Sequence, residues 1–270
     1  MILYSRSGAK TAKRFAENFL IERFRSSRIV FLTEDPLISW GATNVETDEN
    51  HLMYNKPQAI KDSSNKELAR QLLFDAGVPV PTPGYDIFPC VGRTRYHKGG
   101  KGFWLCDNLE EVEKAKKEGA KYFSAFYAKI AEYRVHVAHG ATLLVQEKVP
   151  MMDLVGDLIR ANPIWNHANF NFVVIRQNLW KKRILRDAIK AVEVLGLDFG
   201  AVDVLANDLN TDQPHVISEV NTAPGLAPYS LHKYVQYFQW LLDNKPTEHF
   251  VVNSEKKADY VLTNLMEGGS

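Results

Sequence analysis

An α+β fold is what this sequence predicts, with a small α/β unit ahead of a larger body. Three observations carry that expectation. From residue 88 to 221, short runs rich in Val, Phe and Tyr recur between Gly, Pro and polar breakers, which is the pattern of strands. Helical segments over 181–195 and 228–242 interrupt and follow those runs. Ahead of them stands Val78-Pro79-Val80-Pro81-Thr82-Pro83-Gly84, whose three prolines make a stiff, extended linker between subdomains.

The elements follow in order. In the N-terminal unit Ser7 caps a helix running to about Arg25, with Ala12, Phe15, Phe19 and Phe24 as its apolar face. Residues 29–32 and 38–41 read as short buried strands, and 42–56 as polar and irregular. Ser63 or Ser64 caps the next helix, through Ala76; Glu67 is placed to close a capping box with Ser64, and Gly77 ends it. Residues 88–95 and 103–106 are strands around a glycine loop, and Asp107 with Glu110 opens a charged helix through Glu118. Residues 122–127, 133–137 and 141–149 are strands, with Gly140 marking a hairpin between the last two. Another strand covers 170–175. Ile184, Ala188, Ala191 and Leu195 share one side of the 181–195 helix, closed by Gly196. Two strands, 200–205 and 217–221, precede the last helix.

The bulk numbers bound the function. A chain of 270 residues makes one large domain or two modest ones. Net charge is +1, so no global field favours nucleic acid or an anionic membrane. Cys90 and Cys106 form no CxxC pair and no disulfide framework, which fits a reducing cytoplasm and gives zinc no ligand set. Neither a signal-peptide pattern nor a membrane-length apolar window is read from the sequence.

Four constellations carry chemistry. Asp203 interrupts the apolar run 201–205, and Glu219 interrupts Val216, Ile217 and Val220. Glu219 and Asn221 share a strand face, because strand side chains alternate. A buried carboxylate needs a cation. Two carboxylates and an amide oxygen make a hard, all-oxygen set that suits Mg²⁺ on nucleotide phosphates; two structural salt bridges are the other reading. The loop His97-Lys98-Gly99-Gly100-Lys101-Gly102 is either a phosphate cradle or a tight turn with solvated lysines. It matches neither the P-loop nor the dinucleotide fingerprint. Arg93, in a strand otherwise apolar, wants an anion or sits at an edge with its guanidinium in water. Glu132, Arg134 and His136 share one strand face, joined by Lys148 from the partnering strand; they line a site or a solvated sheet face. His139, His167, His215 and His232 read as turn or surface residues.

Set in this order, these pieces resemble the ATP-grasp superfamily of carboxylate–amine ligases. The likeness rests on Asn65-Lys66, Gly77-Val78-Pro79-Val80-Pro81, Arg93 with the glycine loop, Glu132-Tyr133-Arg134-Val135-His136-Val137, Leu195-Gly196-Leu197-Asp198-Phe199-Gly200-Ala201-Val202-Asp203, and Glu219-Val220-Asn221-Thr222-Ala223-Pro224-Gly225-Leu226. It spans about residues 60 to 242. The 132–137 run and Ile38-Ser39-Trp40-Gly41 lean toward RimK-like and related phage-encoded members.

The resemblance implies an ATP-grasp fold of two α+β subdomains gripping ATP, preceded by a small α/β domain. The implied division is 1–60, then 61–245 with a lid at about 84–130, then a tail, 246–270. It implies that Lys66, Arg93, His97, Gly99, Gly100, Lys101 and Gly102 bind phosphates, Arg93 standing where many members have lysine. Tyr127 and Lys129 belong to the hinge that reads adenine, and Arg134 and Lys148 act on the transferring phosphate. Asp203, Glu219 and Asn221 hold Mg²⁺, with Mn²⁺ as a substitute, while Arg160 and Asn162 lie in a substrate loop. The implied reaction is ATP-dependent C–N bond formation between small-molecule or peptide carboxylates and amines through an acylphosphate. Homodimers are common among such ligases. A kinase or phosphotransferase of the same fold and a non-catalytic nucleotide-binding module are the alternatives.

Overall fold

A computed structural model of the chain describes residues 2–5, 10–18, 22–25, 30–31, 36–47, 51–96, 102–150, 170–179, 181–207 and 215–244. The glycine-loop residues His97, Gly99, Gly100 and Lys101, the substrate-loop residues Arg160 and Asn162, and the tail lie outside the described residues.

The N-terminal unit is a parallel sheet. Strand β1 (Ile2–Ser5) lies between β2 (Glu22–Arg25) and β4 (Leu37–Trp40), and β6 (Met53–Tyr54) pairs outside β4. Helix α1 (Lys10–Asn18) crosses over from β1 to β2, while β3 (Val30–Phe31) and β5 (Glu46–Thr47) form a separate short pair. The long helix expected to reach Arg25 is therefore corrected. It covers half that span, and residues 22–25 pair with β1 instead. Apolar spacing at Phe15 and Phe24 fits either state locally, and pairing with β1, itself unforeseen, decides. The 42–56 stretch likewise holds two short strands.

The helix expected through Ala76 is present as a single helix, and a further helix that was not expected precedes it. Helix α2 (Pro57–Ser64) begins with proline at its first position, where the missing N–H costs no bond. Helix α3 (Lys66–Asp75) starts at Asn65, whose side chain accepts from the Leu68 N–H. Asn65 thus replaces Ser64 as the cap, and the Ser63 hydroxyl instead bonds back to the Ala59 carbonyl. Gly77, with φ +68, ends α3 as expected.

A three-stranded sheet follows, in the segment expected as the lid, with β7 (Cys90–Arg93) between β8 (Phe103–Cys106) and β9 (Tyr122–Ala125). Helix α4 (Leu109–Glu118) covers it, burying Val112 and Ala115 against Cys90, Cys106 and Phe123. Its cap is Asn108 rather than Asp107.

The large sheet is antiparallel, in the order β12 (Phe170–Val174), β11 (Ala141–Pro150), β10 (Ala131–Ala138), β13 (Phe199–Ala206), β14 (His215–Asn221). One face carries Val135, Val145, Val202, Val204 and Val220. It packs on α2, α3 and α5 (Lys182–Val194), burying Ile60, Leu73, Ile184 and Ala188. Ala59 and Ile60 thus belong to this core although they fall in the 1–60 segment. Helix α6 (Pro228–Asn244) joins the N-terminal sheet to the end of the large sheet through Tyr234, Tyr237 and Phe238 against Phe15, Trp40 and Phe199. His139 is a turn residue as expected, though buried beside Tyr237; His215 is a buried strand residue against Asp187 at 3.1 Å, so the turn-or-surface expectation is corrected for it. No helix among the described residues is long and apolar enough to cross a membrane.

Candidate active site

The other face of the large sheet holds the charge. Residues 132, 134 and 136 of β10 point the same way because their spacing is two. Register places Arg134 opposite Asp203 on one side and Gln146 on the other. Asp203 lies opposite Glu219, and Ala201 opposite Asn221. The expected oxygen donors therefore sit on adjacent strands. The Asn221 amide nitrogen, as assigned, stands 3.0 Å from Glu219 Oε1 and 3.5 Å from Asp203 Oδ2.

This face is buried rather than solvated. Arg134 donates to both oxygens of Asp203, at 2.7 and 2.8 Å. Lys148 donates to Asp203 Oδ2 at 3.1 Å and to Glu132, which also accepts from Lys129 at 2.5 Å. Lys66, at the start of α3, reaches Glu219 at 3.4 Å. Burial opposes ionisation of Asp203 and Glu219, yet both are held below the usual carboxylate range. Arg134 and Lys148 outweigh burial at Asp203, and Lys66 does so at Glu219. Burial likewise works against the Lys148 charge, but Asp203 and Glu132 raise its pKa above the ordinary lysine value.

Burial lowers the pKa of Arg93, which lies within the field of Tyr122 and Glu219 and stacks on Phe103 at 5.4 Å. Arg70, one turn along α3 from Lys66, is its neighbour across Tyr122. Six cations, Lys66, Arg70, Arg93, Lys129, Arg134 and Lys148, thus surround three carboxylates, Glu132, Asp203 and Glu219. Among these described side chains cations outnumber carboxylates two to one, and the cluster opens to solvent at Lys66 and Glu219, which suits a polyanion. Arg134 stacks on Phe172 at 4.8 Å and Lys148 on Phe170 at 5.3 Å, so two aromatic rings of β12 border the cleft.

Two carboxylates and one amide are few ligands. Among the described residues no three His, Cys, Asp or Glu side chains group to hold a metal alone. The set fits a Mg²⁺ that shares its shell with phosphate and water.

Tyr127 and Lys129 lie in the connection between lid and large sheet, whose far end is tied by Ile130 N–H to the Ala206 carbonyl at 2.8 Å. Gly102, with φ +63, closes the glycine loop at a spot where a Cβ would stand 2.9 Å from Thr94. His136 departs from the charged reading. It is fully buried, with Nε2 2.9 Å from Gln146 Oε1 and Nδ1 3.3 Å from the Tyr234 hydroxyl, and it is neutral. Sequence reasoning missed Arg70 as part of the site. Its one available signal was a cation four residues after Lys66, hence on the same helix face.

No protein-family model matches the sequence. The chain is 26% identical over 173 residues to a D-alanine–D-alanine ligase of Fusobacterium nucleatum, a match covering 62% of this chain. It spans 58% of that ligase's length. Its structure is similar to the D-alanine–D-alanine ligase of Bacillus anthracis complexed with ATP. That similarity has a TM-score of 0.59 and 15% identity, over 97% of this chain and 99% of the other. It is also similar to the ATP-grasp ligase PsnB complexed with a minimal precursor, with a TM-score of 0.58 and 13% identity, over 85% and 92% of the two chains. With its three-stranded sheet, its large antiparallel sheet and the helices packed on it, this chain has the ATP-grasp fold.

Proposed function

We propose that the protein is an ATP-dependent ligase that joins a carboxylate to an amine, with small molecules or peptides as substrates. The observation that supports this best is the cleft face where Asp203, Glu219 and Asn221 meet under six cations. The likeness to D-alanine–D-alanine ligases and to PsnB points the same way, and the 132–137 run favours a RimK-like member.

In this reading Lys66 and Arg93 hold the nucleotide phosphates, and the backbone near Tyr127 and Lys129 receives adenine. Mg²⁺ held by Asp203, Glu219 and Asn221 supplies neutralisation of phosphate charge when bound. A substrate carboxylate oxygen attacks the γ-phosphorus, the bond to ADP breaks, and an acylphosphate forms. Arg134 and Lys148 stabilise charge on the phosphoryl group as it moves. The amine then attacks the acyl carbon, losing a proton, and inorganic phosphate leaves. Water has to be excluded while the acylphosphate lives, which is the task of the lid.

The test is a screen of paired amino acids and small peptides for ADP release. ADP should form only with Mg²⁺, a carboxylate and an amine together. Glu219→Gln should lower the rate by about 100-fold or more. Glu219 is a cleaner probe than Asp203, because Asp203→Asn strips the buried Arg134 of its charge partner and costs folding as well. Full activity of Glu219→Gln overturns the metal assignment. Phosphorylated product without amine incorporation replaces the ligase by a phosphotransferase, and tight ATP binding with no ADP from any pair replaces it by a binding module.

A further inference from the structure

Arg70 ties the lid to the strand that carries the proposed metal ligands. Its Nη1 donates to the Ser124 hydroxyl of β9 at 2.6 Å. Its Nη2 donates to the Ser218 carbonyl of β14 at 3.2 Å. The guanidinium lies 5.7 Å from the centre of the Tyr122 ring, also on β9. One side chain on a third element, α3, thus holds one residue from each sheet.

Its contact on β14 is at a special position. Asp203 pairs with Glu219 but Val204 pairs with Ile217, so Ser218 is the extra residue of a β-bulge. The bulge lets Ile217 and Val220 both enter the core while Glu219 and Asn221 face the cleft. The Ser218 hydroxyl closes the bulge by donating to the Asp203 carbonyl at 3.2 Å. Arg70 therefore grips the residue whose backbone aims Glu219.

Its contact on β9 is equally placed. The proline linker pairs with both sheets along this line. Pro79 carbonyl accepts from Ile217 N–H at 2.7 Å, and Thr82 carbonyl accepts from Ala125 N–H at 2.9 Å. The linker is one of two chain connections to the three-stranded sheet, the other being 126–130, and Arg70 spans the same two strands a few residues away. A planar fork with fixed donor directions suits this task better than a flexible ammonium.

We infer that Arg70 is a positioning residue that couples lid closure over the nucleotide to the aim of Glu219. One arm sets where the lid rests, and the other sets the bulge. This rests on the proposed nucleotide site, but the contact itself can be tested without turnover.

The experiment uses the whole chain with Arg70→Lys, Arg70→Met and Ser124→Ala. Three measurements are made: backbone hydrogen exchange of β7 to β9 and of β14 without nucleotide, the Kd of a fluorescent ATP analogue, and the Mg²⁺ concentration giving half-maximal binding. Ser124→Ala removes the lid arm alone. It should speed exchange in β9, raise the nucleotide Kd about threefold and leave the Mg²⁺ midpoint unchanged. Arg70→Met removes both arms. It should speed exchange in β9 and β14, raise Kd about tenfold and raise the Mg²⁺ midpoint, and Arg70→Lys should recover only part of this. Equal effects of Ser124→Ala and Arg70→Met on the Mg²⁺ midpoint, or wild-type exchange in both strands of Arg70→Met, overturn the coupling. If the wild type binds no nucleotide, the nucleotide reading fails, and the exchange data still decide whether Arg70 ties the two sheets.

Discussion

His136 sits two residues from Arg134 on the same strand face, yet it titrates for a different reason. Burial pushes its pKa from 6.5 down to about 4, helped by the Arg134 charge and opposed by the hydrogen bond to Gln146. Because the folded value lies below the unfolded one, the unfolded chain takes up the proton first as pH falls. The contribution is fully present above pH 6.5 and is lost as pH drops toward 4, on the order of 3 kcal/mol. Urea midpoints measured from pH 7 to 4.5 should fall more steeply for the wild type than for His136→Gln. Parallel curves would assign the acid sensitivity to other groups. The carboxylates next to it are depressed too, so their contribution is likewise lost as pH falls, but they are held in the charged form: Arg134 and Lys148 keep Asp203 ionised, and Lys66 keeps Glu219 so.

Strand β14 and the turn after it carry the donor pair out to the N-terminal unit. Gly41, just past β4, has φ +69 and lies so close to that turn that an added Cβ would stand 2.7 Å from the Ala223 Cβ. Helix α1 reaches the same segment, with Arg14 donating to the Leu226 carbonyl at 2.7 Å. Two elements of the small unit thus buttress the segment following Asn221. Gly41→Ala should cost about 2 kcal/mol, part from the left-handed backbone and part from the clash. Ala223→Gly removes only the clash, so the double variant should regain part of the loss in denaturant unfolding. Simple additivity of the two substitutions would mean that the contact carries no strain. Asn55 makes the second junction: its side chain accepts from the Asp198 and Phe199 N–H groups at 2.8 and 3.2 Å, locking β6 to the start of β13. The Asp198 carboxylate in turn accepts from the Asn55 N–H at 2.5 Å, which gives this residue, in the run that carried the family likeness, a structural task.

Helix α3, the three-stranded sheet and the large sheet meet around one site where, among the described residues, the cations are only half matched by carboxylates. The proposed nucleotide's phosphate chain would complete that balance, so its binding should stabilise the fold by mass action. At about 100 times its Kd a ligand adds roughly 2.7 kcal/mol, which for a chain of this size raises Tm by about 5 to 10 °C. ATP with Mg²⁺ should produce such a shift in a thermal melt, and EDTA should remove most of it. A Tm indifferent to ATP and Mg²⁺ would leave the excess positive charge without its proposed ligand.

Much of this was readable along the chain, and the readable part is local. The β8, β10, β11, β13 and β14 segments, the α5 helix and the common face of Glu219 and Asn221 follow from periods of two and 3.6, which short stretches express by themselves. Residues 1–25 defeated that reading, because parallel strand β1 is bonded to β2 on one side and to β4 on the other rather than to sequence neighbours. Helix α2 was also hidden, since Ala59 and Ile60 alone give its eight residues an apolar face. Strict alternation would have turned Ile217 toward the cleft beside Glu219; the bulge at Ser218 sends it to the core. Arg70 and the pairing of Lys66 with Glu219 span 54 to more than 140 residues of chain. Periodicity is a property of neighbours, whereas bulge register and ion pairing depend on which strands the folded chain brings side by side.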